Sequence, residues 1–152
     1  MATATLTIDA SAEDVFAVLA DADSYGTWVV GSDTIRDADA GFPALGTRFH
    51  HRVGVGPIKT DDHTEVLAVN RPFLLELRAN ARPFGIARVT LLMTPRDGGR
   101  TDVTIIEKPM GPIARVLFNP LTDPLVSLRN VESLRRLKRM VEERATAASG
   151  GR

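Results

Sequence analysis

The 152-residue chain has no cysteine, which excludes disulfides, thiolate metal centres and cysteine nucleophiles. It has no excess of either charge: nineteen basic residues balance nineteen acidic ones. A nucleic-acid protein needs a basic stripe to displace counterions, so nucleic acid is not an expected partner. No eighteen-residue apolar run occurs, so no membrane-spanning helix and no integral membrane association are expected. Met1 to Thr5 lacks the basic and apolar regions of a secretory leader, and the expected location is the cytoplasm. Zincin, hydrolase-elbow, Walker and dinucleotide motifs are all missing, and Gly54-Val55-Gly56-Pro57 reads as a turn, not a phosphate cradle. Three histidines offer little to a metal. His50 and His51 are neighbours, so on a strand they point to opposite faces, and His50 with His63 makes only two ligands. No metal and no cofactor are expected.

What is present is an ordinary globular balance of 43% hydrophobic and 25% charged residues. The length suits one domain, which buries roughly 68–70% of its unfolded surface. Ala4 to Ile8 alternates as a strand. Ser11 is placed to cap a helix carrying Val15, Phe16, Val18 and Leu19, and a second short helical turn around Tyr25 carries Trp28. From Asp33 to Pro109 the pattern is strands broken by turns, clearest at Asp97-Gly98-Gly99. Strands joined so closely must be antiparallel, since parallel crossovers need helices between them. Beyond Gly111-Pro112, apolar residues including Ile113, Val116, Leu117, Leu121, Leu125, Leu128, Leu134, Leu137 and Val141 recur at helical spacing. The signal is strongest from Leu125 to Glu143, about 28 Å of helix. The domain is expected to span residues 1–144, with 145–152 a disordered tail. The predicted architecture is α+β: an antiparallel sheet whose apolar face is covered by the long C-terminal helix.

One hairpin can be read in register. A two-residue turn at Gly56-Pro57 sets Arg48 opposite Glu65, His50 opposite His63 and Arg52 opposite Asp61 on the solvated face. It sets Phe49 opposite Thr64 and His51 opposite Asp62 on the inner face. Further along, alternation turns Phe73, Leu75 and Leu77 inward, then Ala87, Val89, Leu91 and Met93, then Val103 and Ile105. Glu107 ends that last apolar row, either as a strand-end charge in water or as a carboxylate reaching into the interior.

Several of these features occur together in one family. The N-terminal strand and capped helix with a Trp-bearing second turn, Gly46-Thr47-Arg48-Phe49, Asn70-Arg71-Pro72 and the closing helix with Arg129-Asn130-Val131-Glu132-Ser133-Leu134 resemble the START/pollen-allergen helix-grip (SRPBCC) superfamily. The nearest branch is the bacterial polyketide cyclase/dehydrase-like one. The resemblance covers residues 2 to 144. It implies a seven-stranded antiparallel sheet around the C-terminal helix, with two short helices between strands 1 and 2 and a cavity for a small hydrophobic ligand. Carriers, including lipid-transport proteins, and aromatase/cyclases share the fold, so the fold alone does not choose between them.

On this frame the expected ligand-binding residues are Tyr25, Trp28, Phe49, His51, Val53, Leu75, Leu77, Val89, Leu91, Ile105, Glu107, Leu125 and Arg129. Four can carry chemistry. A carboxylate at Asp62 facing the cavity would orient the His51 imidazole for proton transfer; the alternative is a structural pair near the hairpin tip. Glu107, if buried, needs a partner, and Arg129 on the closing helix is the candidate; the same Arg could hold a ligand carboxylate or enolate. The alternative is a structural ion pair or two solvated residues. Tyr25 and Trp28 either stack on a ligand or pack the helical lid onto the sheet. Asn119 and Asn130 are ligand donors, or a cap and a surface residue. The basic run Arg135 to Arg139 reads as a solvated helix face. Binding or carriage of a small apolar or aromatic ligand is the leading expectation. A polyketide aromatase/cyclase is second and a protein-interaction module third. Monomer and homodimer both remain open.

Overall fold

The computed structural model of the protein describes residues 2–55, 57–81, 85–111 and 123–150. The elements are β1 (Ala2–Ile8), α1 (Ala12–Leu19), a 3-10 turn (Ala22–Ser24), α2 (Tyr25–Trp28), β2 (Ser32–Ala38), β3 (Arg48–Val55), β4 (Ile58–Asn70), β5 (Leu74–Ala81), β6 (Gly85–Arg96), β7 (Arg100–Met110) and α3 (Asp123–Gly150). The seven strands form one curled antiparallel sheet in the order β1-β7-β6-β5-β4-β3-β2. The helix-grip architecture is therefore present, with α3 lying along β1 and touching α1 and α2.

Local chemistry accounts for the elements. Ser11 caps α1, its Oγ accepting the Asp14 N–H at 3.1 Å, and Val15, Phe16, Val18 and Leu19 are buried behind it. Thr101 Oγ1 donates to the Ala10 carbonyl at 2.8 Å, tying the start of α1 to β7. At the β6–β7 turn Gly98 and Gly99 both take positive φ, 79° and 74°, a conformation costly for side chains with a Cβ. The β3–β4 register is the one read from the sequence, with Arg48 opposite Glu65, His50 opposite His63, His51 opposite Asp62 and Arg52 opposite Asp61. Arg48 and Arg52 reach their partners at 2.9 and 3.2 Å on the exposed face, where such pairs contribute under about 1 kcal/mol.

Three expectations need correction. Phe73 is not an inward strand residue: β5 begins at Leu74, and Phe73 sits in the preceding turn at 47% exposure. It contributes its backbone carbonyl, which accepts the Met93 N–H at 2.9 Å. Leu125 is 68% exposed and Leu128 67% exposed, although both fit the apolar spacing. Helical phase gives the reason. Leu134, Leu137 and Val141 are buried, and Leu128 lies nine positions before Leu137, about two and a half turns, on the opposite side. The third concerns the end of α3, which runs to Gly150 instead of stopping near residue 144. Ala145-Thr146-Ala147-Ala148 is rich in the best helix former, so the helix outlasts its apolar stripe. The apolar positions expected at Ile113, Val116, Leu117 and Leu121 lie outside the described residues.

The core joins Ile8, Val15, Phe16, Leu19, Leu75, Leu91, Val103, Leu134, Leu137 and Val141. Truncating a fully buried leucine removes its transfer energy and leaves a cavity. Leu75→Ala should cost about 2–5 kcal/mol, and Phe73→Ala within roughly 1 kcal/mol, as at surface positions. Urea midpoints of the two variants test this; equal losses would return Phe73 to the core.

Candidate functional site

The same α3 stripe changes character toward its N-terminal end. Seven positions before Leu137, about two turns and so on the same side, stands Asn130, with Ser133 beside it; both are buried. Where leucines close on the sheet the interior is filled. Where Asn130 and Ser133 face it, a cavity of about 290 Å³ remains, at the lower end of the usual ligand-pocket range of about 300–1,000 Å³.

Its walls come from six strands and two helices. Leu77 on β5, Val89 and Leu91 on β6, and Ile105 on β7 supply an apolar floor. Tyr25 and Trp28 on α2 and Phe49 on β3 form one side, with ring centroids 5.0 Å apart for Tyr25–Trp28 and 4.7 Å for Tyr25–Phe49. Both polar handles are already used. Tyr25 donates its hydroxyl to the Leu19 carbonyl at 2.7 Å, and Trp28 Nε1 donates to Ser24 Oγ at 3.3 Å. Burial, reinforced by Asp21, pushes the Tyr25 phenol far above its ordinary range, so it stays protonated. These rings are wall and lid at once.

His51 lines the cavity next to Phe49. Its Nε2 is 2.9 Å from Thr64 Oγ1, also in the wall, and its Nδ1 has no hydrogen-bond partner among the described residues. Burial lowers its pKa, opposed by the Asp62 carboxylate. Asp62, though opposite His51 in register and buried, makes no hydrogen bond to it. One Asp62 oxygen accepts the His63 backbone N–H at 2.9 Å and lies 3.6 Å from His63 Nδ1. The expected oriented acid–base pair is therefore not formed; the carboxylate acts on His51 only through its field.

Glu107 does reach the interior. It is 6% exposed, lines the cavity, and accepts two bonds from Arg129 Nη2, at 2.5 and 2.6 Å. Burial raises its pKa, and Arg129 pulls the other way. Asn130, adjacent to Arg129, has an unpartnered Nδ2. Ser133 Oγ accepts the Val30 N–H at 3.0 Å, fixing the loop after α2 against α3. Asn80 also borders the cavity, with Nδ2 3.0 Å from His63 Nε2.

Of the residues expected from the sequence, Tyr25, Trp28, Phe49, His51, Leu77, Val89, Leu91, Ile105, Glu107 and Arg129 lie in one wall. Leu75 points the same way but is packed in the core, Leu125 faces out, and the side chain of Val53 and all of Asn119 lie outside the described residues. Asn130 is not the surface residue that was one of its two readings. Thr64 and Ser133 were missed, although extending the Leu134/Leu137/Val141 phase backwards locates Ser133, and the β3–β4 register locates Thr64. Among the described residues, no three His, Asp or Glu side chains group to hold a metal, and no helix is long and apolar enough to cross a membrane.

The sequence matches the family described as polyketide cyclase/dehydrase and lipid transport over residues 1–142. No curated protein matches it. Among solved structures, the Zhui aromatase/cyclase from Streptomyces sp. R1128 aligns with a TM-score of 0.71 at 18% identity, covering 96% of this chain and 95% of that one. A conserved protein from Geobacillus kaustophilus gives 0.70 at 15% identity, covering 93% and 94%. The di-domain ARO/CYC BexL of the BE-7585A biosynthetic pathway gives 0.69 at 13% identity, covering 93% of this chain and 46% of BexL. At these identities the likeness is one of fold.

The two titrating cavity groups act on stability in opposite directions. Glu107 has its folded pKa raised above 4.5, so stability is lost as pH rises through that folded value. His51 has its folded pKa lowered below 6.5, so stability is lost as pH falls from 6.5 through its folded value. In urea unfolding from pH 4 to 8, Glu107→Gln should gain on wild type as pH rises. His51→Gln should gain as pH falls below 6.5. Differences that do not vary with pH would show that neither group is perturbed as described.

Proposed function

The chain belongs to the polyketide cyclase/dehydrase and lipid transport family, and on that premise we propose that it binds and carries a small, largely apolar ligand in the cavity between the sheet and α3. One observation carries this reading: the wall is mostly apolar, with a few polar side chains set into it, from the sheet at His51, Thr64, Asn80 and Glu107 and from α3 at Arg129, Asn130 and Ser133. Such a site buries a hydrocarbon or aromatic body and orients it through a few placed polar contacts. Carriage is favoured over turnover by the state of the candidate chemical groups. Tyr25 is committed to a carbonyl, His51 has no carboxylate partner holding its ring, and Glu107 is tied to Arg129. None forms the base–orienter geometry that general acid–base catalysis requires.

A polyketide aromatase/cyclase is the second reading. It is supported by the fold shared with the Zhui aromatase/cyclase and by the imidazole and carboxyl group in one wall. There His51 would move a proton and Arg129 would stabilise an enolate.

Trp28, the only tryptophan, is a built-in reporter in the wall. Titration with the neutral probe N-phenyl-1-naphthylamine should transfer Trp28 emission to the probe. Val89→Phe, which fills the floor, should weaken binding about tenfold or more, the equivalent of roughly 1.4 kcal/mol. Undiminished binding in that variant would place the ligand elsewhere. Native mass spectrometry of the protein from its own host then separates the two readings: a bound molecule recovered unchanged after incubation supports carriage, and a cyclised product supports the enzyme.

A further inference from the structure

The part of the wall that α3 supplies supports a more specific conclusion, which rests on the reading of the cavity as a ligand site. Among the described residues its wall holds one formal positive charge, Arg129, and one negative charge, Glu107, and each neutralises the other. Arg129 meets both Glu107 oxygens through Nη2 alone. Its Nε and Nη1 make no hydrogen bond or ion pair among the described residues. With 38% of its side chain exposed, Arg129 reaches from the solvent edge into the wall. The next residue, Asn130, is 2% exposed and has an N–H₂ group with no partner. Asn130 thus presents an unpartnered N–H₂ group, and Arg129 is engaged among the described residues through Nη2 alone, with both side chains lining the cavity. An acceptor oxygen satisfies them, and a carboxylate matches the guanidinium fork best.

Counting charges adds a condition. One guanidinium neutralises one carboxylate, and Glu107 already occupies it. If a ligand carboxylate takes Arg129 over, Glu107 is left buried beside no counter-charge, a strongly unfavourable state. If the two share Arg129, two close carboxylates resist being ionised together. Protonation of Glu107 relieves both cases. We propose that the cavity takes apolar monocarboxylates, and that each carboxylate bound at Arg129 is accompanied by one proton passing from solvent to a Glu107 oxygen. No other bond forms or breaks.

The groups acting on Glu107 are few. Arg129 approaches from α3 and is the charged side chain that bonds it. The β6 residue paired with Glu107 is the apolar Val89, and its β1 partner is Ala2. His51 on β3 is the other titratable group in the wall. With its unpartnered Nδ1, it is the rival destination for the proton.

Calorimetry with decanoate and 1-decanol tests the proposal, each titration run in two buffers of different ionisation enthalpy from pH 5 to 7.5. Decanoate stays ionised across most of this window, since carboxyl groups titrate near roughly 4. Proton uptake per decanoate should rise toward one with increasing pH, and 1-decanol should bind with none. Glu107→Gln should abolish the uptake and tighten decanoate binding at pH 7.5, whereas His51→Gln should retain it. Decanoate binding without uptake in the wild type overturns the coupling even if a variant fails to fold. Uptake that survives Glu107→Gln, or 1-decanol binding without decanoate, also overturns the proposal but leaves the cavity reading standing. If neither ligand binds, the cavity reading itself fails and the proposal falls with it.

Discussion

The structure depends on how α3 meets the sheet. A curled sheet with one apolar face must be covered, and a single helix is too narrow to fill the concavity along its whole length. At Leu134, Leu137 and Val141 the contact is dry and complete, and each buried leucine contributes about 1.5–3 kcal/mol. One and two turns before Leu137 the same stripe carries Ser133 and Asn130, polar side chains that are costly to bury against leucines alone. The packed end holds the fold together, and the polar end leaves the cavity. Both follow from one helical phase.

Within the cavity the polar groups are balanced against their cost. Glu107 could not remain ionised alone at 6% exposure, and Arg129 offsets part of that burial. Tyr25 and Trp28 direct their hydrogen bonds back into the segment around α2, which fixes the aromatic side as a rigid surface. What remains without a partner, His51 Nδ1, Asn80 Oδ1 and Asn130 Nδ2, lies in the cavity wall, where on the proposed reading a ligand's polar atoms would be accommodated. Buried polar groups almost always find partners, so orphaned atoms concentrated in a ligand-sized wall carry information that the same atoms on a surface would not.

How much of this was legible in the sequence varies with the interaction that decides each residue. The β3–β4 pairing could be read residue by residue because a two-residue turn fixes register and opposite charges line one face. Glu107 stood out for the same reason: a carboxylate at an inward parity in an apolar row needs an explanation, and Arg129 supplied it. Phe73 misled because parity was extended one residue back from β5 into the turn, where the backbone no longer alternates. Leu125 and Leu128 misled because apolar spacing was followed in place of phase. Asp62 shows a different limit. Its position opposite His51 was readable, but the choice of the His63 N–H over the His51 ring depends on side-chain geometry that no pattern encodes.

The division of α3 into a packing half and a lining half also bears on why one fold serves ligands of many kinds. On the proposed ligand reading, substitutions at Asn130, Arg129 or Glu107 would change what the cavity recognises while leaving in place the Leu134–Leu137–Val141 contact that holds the helix down. Energies of sites that share no partners add nearly independently, so such changes would alter binding while leaving most of the stability in place. The Glu107–Arg129 pair is the exception. It joins β7 to α3 and also supplies the only formal charges in the wall among the described residues. On the proposed reading, a ligand that engages Arg129 would therefore act on the contact between β7 and α3 as well.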